Sequence, residues 1–188
     1  MAGWIEASVR PPRLMRLVRQ HRSERHMTRI VQVSSPTEVE AVAALLREYA
    51  ASLGLGLGFQ GFSEELAGLP GDYRPPRGAL FLALDDNVAI GCVGLRPLAW
   101  PRIAELKRLY VRPQGRGHGL GTLLSQAALA VARDAGYHLV RLDTLPTMLA
   151  AQRLYKTLGF SEIEAYRSNP VPGTRYMELV INPSDGEQ

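Results

Sequence analysis

Val111-Arg112-Pro113-Gln114-Gly115-Arg116-Gly117-His118-Gly119-Leu120-Gly121 sets four glycines at every second position between an apolar run and a helical one. A plain turn has no use for so many, because glycine loses more conformational freedom on folding than any other residue. Close approach of the backbone to a ligand does use them. A loop that follows a strand and opens a helix presents unpaired N–H groups at the positive end of the helix dipole, a site for an anion and commonly for a pyrophosphate. A Walker loop would need Lys followed by Ser or Thr after its last glycine, and no Lys is near. A dinucleotide fingerprint, G-x-G-x-x-G, ends on Leu120 when counted from Gly115 and on Thr122 when counted from Gly117, so neither register fits.

The flanking sequence gives this loop a setting. Residues 103–111 read as a strand, but apolar and polar residues do not separate onto two faces: Glu105, Lys107 and Arg108 stand among Ile103, Leu106, Leu109 and Val111. Part of such a strand is buried while another part lines something polar. A helix follows over 122–135, closed by Gly136, then a strand over 137–143 and a helix over 147–158 closed by Gly159. Upstream, a strand over 28–33 is broken at Ser34, Ser35 and Pro36. A helix over 37–51 and a short one over 63–67, with Ser63 as N-cap, come next. Two apolar runs, 79–84 and 88–95, joined by Asp85-Asp86-Asn87, are a hairpin signal. Strands over 160–166 and 176–181 complete the order β-α-α-β-β-β-α-β-α-β-β. The central β-α-β predicts a parallel pair with a right-handed crossover, hence an α/β or α+β fold with a mixed sheet.

Composition excludes several classes. One cysteine, Cys92, forbids an intrachain disulfide and a Cys-based metal site, and the four His show no ligand spacing, so no metal is expected. No apolar run reaches membrane-span length, and a cytoplasmic protein, monomer or homodimer, is expected. The net charge of +4 is concentrated at the start, where residues 1–29 hold seven Arg against Glu6 and Glu24. The remainder is near neutral, which argues against a nucleic-acid partner. Residues 1–27 are expected to be a basic extension, 28–182 the folded domain and 183–188 a polar tail.

Gln114, Gly117 and Gly119 fill the pattern [QR]-x-x-G-x-[GA], and the loop resembles the acyl-CoA loop of the GNAT acetyltransferase superfamily. A second stretch, Ala151-x-x-Leu154-Tyr155-x-x-Leu158-Gly159-Phe160, resembles that family's closing helix. Residues 105–111, Glu-Leu-Lys-Arg-Leu-Tyr-Val, further resemble a bacterial branch of it. The resemblance implies a mostly antiparallel mixed sheet with a central splayed parallel pair and flanking helices. It implies acetyl-CoA as acyl donor, its pantetheine arm on the backbone of Leu109, Tyr110 and Val111. The diphosphate is expected on the amides of Arg116, Gly117, His118, Gly119, Leu120, Gly121 and Thr122, with Gln114 and Gly115 completing the loop. One departure is Met148, where many members carry a cofactor-contacting Asn.

Transfer from a thioester to an amine needs a neutral amine, a donor for the developing oxyanion and a proton for the thiolate. By resemblance, Tyr155 is the expected acid and Glu105 stands where a general base stands in histone-acetylating members; the alternative for Glu105 is an ion pair with Lys107 or a nearby Arg. A backbone amide near Tyr110 or Val111 is the expected oxyanion donor. Tyr49, Phe59 and Phe62 fall where the family builds its acceptor pocket, and Asp143, Thr144, Tyr166 and Asn169 are expected to border it. The expected activity is N-acetylation of a small-molecule or peptide amine. The alternatives are an acyl-CoA sensor without transfer, and transfer of another acyl group or to a hydroxyl.

Overall fold

The computed structural model describes residues 28–54 and 61–181. Its elements are β1 (Thr28–Gln32), α1 (Pro36–Leu53), α2 (Phe62–Ala67), β2 (Ala79–Asp85), β3 (Val88–Pro97), β4 (Ile103–Val111), α3 (Leu120–Asp134), β5 (Leu139–Thr144), α4 (Leu149–Thr157), β6 (Ser161–Ile163) and β7 (Arg175–Val180). The seven strands form one sheet in the order β1-β2-β3-β4-β5-β7-β6. Every neighbouring pair is antiparallel except β4–β5, which is parallel.

Side-chain alternation divides the core in two. Ala79, Phe81 and Ala83 of β2 pack on one face with Leu124, Ala128 and Ala132 of α3. Leu80, Leu82 and Leu84 pack on the other with Val42, Leu45 and Leu46 of α1. Burial of β2 on both sides explains why it reads as a continuous apolar run rather than an alternating one. The β2–β3 hairpin turns on Asp86 and Asn87, both at positive φ (45° and 69°), with Asp85 opposite Val88. Asp and Asn tolerate that conformation better than most residues, and the two-residue loop matches strand twist.

Helix ends differ from several expectations. Ser35 does not merely break β1; it caps α1, accepting from the Glu38 amide (3.3 Å) while Glu38 accepts from the Ser35 amide (3.0 Å). This reciprocal box satisfies two otherwise orphaned donors. Helix α2 starts one residue early, and its N-cap is Gly61 at φ 63°, not Ser63. Helix α3 begins at Leu120, so the glycine-rich loop ends at Gly119, and α4 is shorter than its apolar pattern. The penultimate strand stops at Ile163, because the chain then turns to carry Tyr166 and Arg167 over the sheet.

Two fold features fix the site. In β4 one extra residue is accommodated between the pairs Gly94↔Lys107 and Cys92↔Tyr110, and Arg108 has φ 61°. This bulge interrupts the alternation, so Lys107 and Arg108 both lie on the α1 face; the mixed pattern of the strand has its cause there. On β3, Gly94 admits the ring of Tyr73: a Cβ would come within 2.5 Å of a ring carbon. Tyr73 is buried and its hydroxyl donates to Glu65 (2.7 Å), so the ring cannot retreat without losing that bond. Gly94→Ala should therefore destabilise the protein by about 1–3 kcal/mol, as overpacking does, and lower Tm by roughly 2–12 °C. A calorimetric scan with unchanged Tm would show that the ring has room to move.

Candidate functional site

The parallel pairing is short. Ile103, Ala104 and Glu105 pair with Leu139, Val140 and Arg141, and there it ends, although β4 continues to Val111 and β5 to Thr144. Beyond Glu105 the two strands diverge and present backbone edges that no strand among the described residues covers. Exposed N–H and C=O groups of this kind seek partners, and an extended ligand carrying amides can provide them. The Val111 carbonyl already accepts from Arg116 Nε (3.0 Å). The side chains of Leu109 and Val111 turn to the α3 face and that of Tyr110 to the α1 face, so these residues offer the gap mainly backbone.

At the end of β4 the chain makes one turn of 3-10 helix over Pro113–Gly115 and then enters α3. The four glycines do two different jobs. Gly117 and Gly119 have φ of 79° and 76°, and a Cβ on either would meet nothing within 4 Å. They shape the backbone and leave its outer side open. Gly115 is buried against Val111, Leu120 and Ile90, and Gly121 lies under Leu154 of α4, where a Cβ would approach a methyl to 2.9 Å. At these two positions the missing side chain serves packing. The amides of Gly115 and Arg116 are also spent within the loop, on Arg112 O (2.9 Å) and Pro113 O (3.2 Å). That leaves residues 117–122, whose amides make no such bond within the loop. No side chain caps α3 and no acidic residue sits in its first turn; its first amide to reach a backbone carbonyl is that of Leu123, on Gly119. An uncapped N-terminus with exposed Gln114, Arg116 and His118 beside it can take an anion.

Tyr155 packs in the α3-side core, its ring 5.7 Å from that of Phe160. Burial raises its hydroxyl well above the ordinary 10, and Tyr49 and Asp143 push in the same direction. Those two residues belong to the opposite face of the sheet. Gln152, one turn earlier, donates to the carbonyls of Leu145 (2.8 Å) and Pro146 (3.2 Å) and holds the entry to α4. Met148 is the N-cap of α4 without capping it, its sulfur 3.9 Å from the hydroxyl of buried Thr144.

On the α1 face the gap opens over a dense charged cluster. Glu105 is fully buried. Arg96 donates to its Oε2 (2.9 Å from Nε); Arg167 (2.9 Å) and the Tyr166 hydroxyl (3.0 Å) reach its Oε1. Arg167 also pairs with Asp143, to which Asn169 donates (3.0 Å). Arg108 makes a two-pronged pair with Glu65 (2.8 and 2.7 Å) and lies 5.1 Å over the Phe62 ring. Burial works against the charge of Glu65, but Arg108 and Tyr73 more than offset it and hold the carboxyl below its usual range. Burial, with Glu105 beside it, raises Tyr166 far above the usual phenol range. Lys107 is buried and is pushed down to about 8, first by burial; Glu105 opposes the shift, while Arg167, Arg96 and Arg108 add to it.

Of the residues expected around an acceptor, Tyr49, Phe62, Asp143, Tyr166 and Asn169 gather on this face, with Tyr49 5.8 Å from Tyr110 ring to ring. Thr144 points to the opposite side. Phe59 lies outside the described residues. Sequence reading missed Arg167, Arg96 and Glu65, which come from distant segments; the unseparated faces of β4 were the one signal of a buried polar cluster. Among the described residues no three His, Cys, Asp or Glu side chains come together as a metal ion would need, and no helix is long and apolar enough to cross a membrane.

Known proteins agree with this architecture. Residues 41–160 match the Acetyltransferase (GNAT) family. An uncharacterized N-acetyltransferase of Schizosaccharomyces pombe is 41% identical over 154 residues, 81% of this chain and 94% of that protein. An uncharacterized N-acetyltransferase of Dictyostelium discoideum is 28% identical, over 73% of this chain and 92% of its own. Among solved structures, a GNAT-family acetyltransferase of Staphylococcus aureus superposes with a TM-score of 0.69 at 18% identity, covering 82% of this chain and 99% of that one. An interrupted parallel pair, a glycine-opened helix and these matches have one meaning: the chain belongs to the GNAT family of acetyltransferases.

Proposed function

We propose that this protein transfers an acetyl group from acetyl-CoA to a primary amine of a small molecule or peptide by direct attack. The observation that carries this reading is the β4–β5 gap, with the uncapped start of α3 at one end. The residues fit the donor: amides of residues 117–122 for the diphosphate and the open edge of β4 through Leu109 for the amide-bearing arm. A structural relative, the PaiA N-acetyltransferase of Thermoplasma acidophilum, was solved in complex with coenzyme A (TM-score 0.64, 19% identity, 82% of this chain and 99% of that one).

The thioester supplies the acyl group: a C–N bond forms as the C–S bond breaks. The charged face holds the amine, and the open β4 backbone donates to the carbonyl oxygen. Tyr155 gives its proton to the departing sulfur, and the acylated nitrogen sheds one through solvent that restores the phenol, so that in net one proton passes from amine to thiol. Glu105 has both oxygens engaged by Arg96, Arg167 and Tyr166, an arrangement that favours the ion-pair role over that of a base. The amine then enters having lost its proton to solvent.

Three outcomes test this. Gly119→Glu, which puts a carboxylate at the helix start, should abolish binding of CoA in calorimetry; unchanged affinity would remove the loop from the site. Tyr155→Phe should lower kcat by roughly 10²–10⁴-fold, the usual worth of a positioned acid, with CoA affinity and Tm kept. Wild-type turnover under chemistry-limited conditions would leave Tyr155 a core aromatic. Glu105→Gln leaves buried cations underpaired and should reduce stability by about 3–5 kcal/mol in urea titration. Its rate relative to wild type should stay constant across pH; recovery at high pH would restore the general-base role.

A further inference from the structure

We propose that the amine acceptor carries a carboxylate, and that Lys107 is the residue that binds it. This rests on the transfer reaction proposed above and names its substrate class.

The charges on the α1 face match one another with one exception. Arg108 is paired with Glu65, and Arg141 with Glu178 (2.7 Å). Arg96 and Arg167 share Glu105 and Asp143. Each guanidinium thus has its carboxylate. Lys107 is left over: its side chain is 5% exposed, and its Nζ has no hydrogen-bond partner among the described residues. The nearest carboxylate oxygen, Glu105 Oε2, is 3.9 Å away and already accepts from Arg96. An ammonium in that state has lost water on burial and received no hydrogen bond in exchange, a large unfavourable balance that a bound anion would reverse.

Position favours substrate over a structural counter-ion. Strand pairing ends at Glu105, so Lys107 is the first α1-face residue alongside the open length of β4. It lies two residues from Leu109 across the bulge, at most roughly 7 Å along the strand, so a small molecule could bridge Lys107 and the open edge. The surplus is a single charge, which suits a monoanion, and the donors of Lys107 suit carboxylate oxygens. A free amino acid has both groups, an amine to be acylated and a carboxylate to be held.

The test compares the twenty amino acids with their C-terminal amides and decarboxylated amines as acceptors, at saturating acetyl-CoA, for the full chain and for Lys107→Met. The expected result is that acceptors are found among free carboxylates, with kcat/KM at least about 10²-fold above the matching amide, mostly through KM. In Lys107→Met that preference should collapse toward one. Tm of this variant should hold or rise, because a buried ammonium without a hydrogen bond has been replaced by an apolar chain of similar length. Acetylation of amides or decarboxylated amines as fast as the acids would overturn the proposal. So would a protein that binds acetyl-CoA and transfers to none of the acids. A preference kept in Lys107→Met, or a Tm that drops sharply, would assign Lys107 to structure instead. A protein that fails to bind acetyl-CoA at all would remove the underlying reaction, and this inference with it.

Discussion

Beyond Glu105 and Arg141 the two parallel strands at the centre of the sheet stop hydrogen bonding, and the rest of the molecule is organised around that interruption. Backbone donors and acceptors inside a sheet are costly to leave without partners. A protein that keeps such edges open must hold the strands apart by other means. Here the means are on both faces: apolar packing of α3 and α4 on one, and on the other a set of ion pairs whose members come from both diverging strands, Glu105 and Arg108 from β4, Arg141 and Asp143 from β5. Arg141 is further held between the rings of Trp100 and Tyr166, 5.5 Å from each.

The two faces contribute differently. The α3 face is apolar and rigid, and it supplies position: Gly121 lets α3 settle against Leu154, and Tyr155 follows on the same helix. The α1 face is polar and supplies charge. Because the sheet is open between them, a ligand in the gap can meet both faces at once. An intact sheet would isolate these environments from each other.

Local chemistry was legible in the sequence and long-range chemistry was not. Asp85-Asp86-Asn87 between two apolar runs specified its hairpin, and the β-α-β order specified the parallel pair, because each signal is carried by a few adjacent residues. Ser35-x-x-Glu38 is equally a local signal, a capping box that also marks the break after β1. The glycine-rich loop was located correctly, whereas the division of its glycines between backbone shape and packing depends on Ile90 and Leu154, far along the chain. The penultimate strand reads too long because Tyr166 looks like a strand residue; its actual partner, Glu105, is 61 positions away. For the same reason the bulge at Arg108 showed only as a confused alternation, and the pairing of Arg167, Arg96 and Glu65 not at all.

The contact between Gly94 and Tyr73 has a consequence for how such a protein can diversify. The ring lies on β3 only because position 94 has no side chain; its hydroxyl orients Glu65, and Glu65 orients Arg108 at the bulge. Positions 94, 73, 65 and 108 are therefore physically coupled, each holding the next in place. A lineage that loses the tyrosine frees the glycine to vary and unfastens the arginine in the same step. The charged α1 face could then rearrange through a change on β3, while the apolar packing of α3 and α4 on the other face stays as it was.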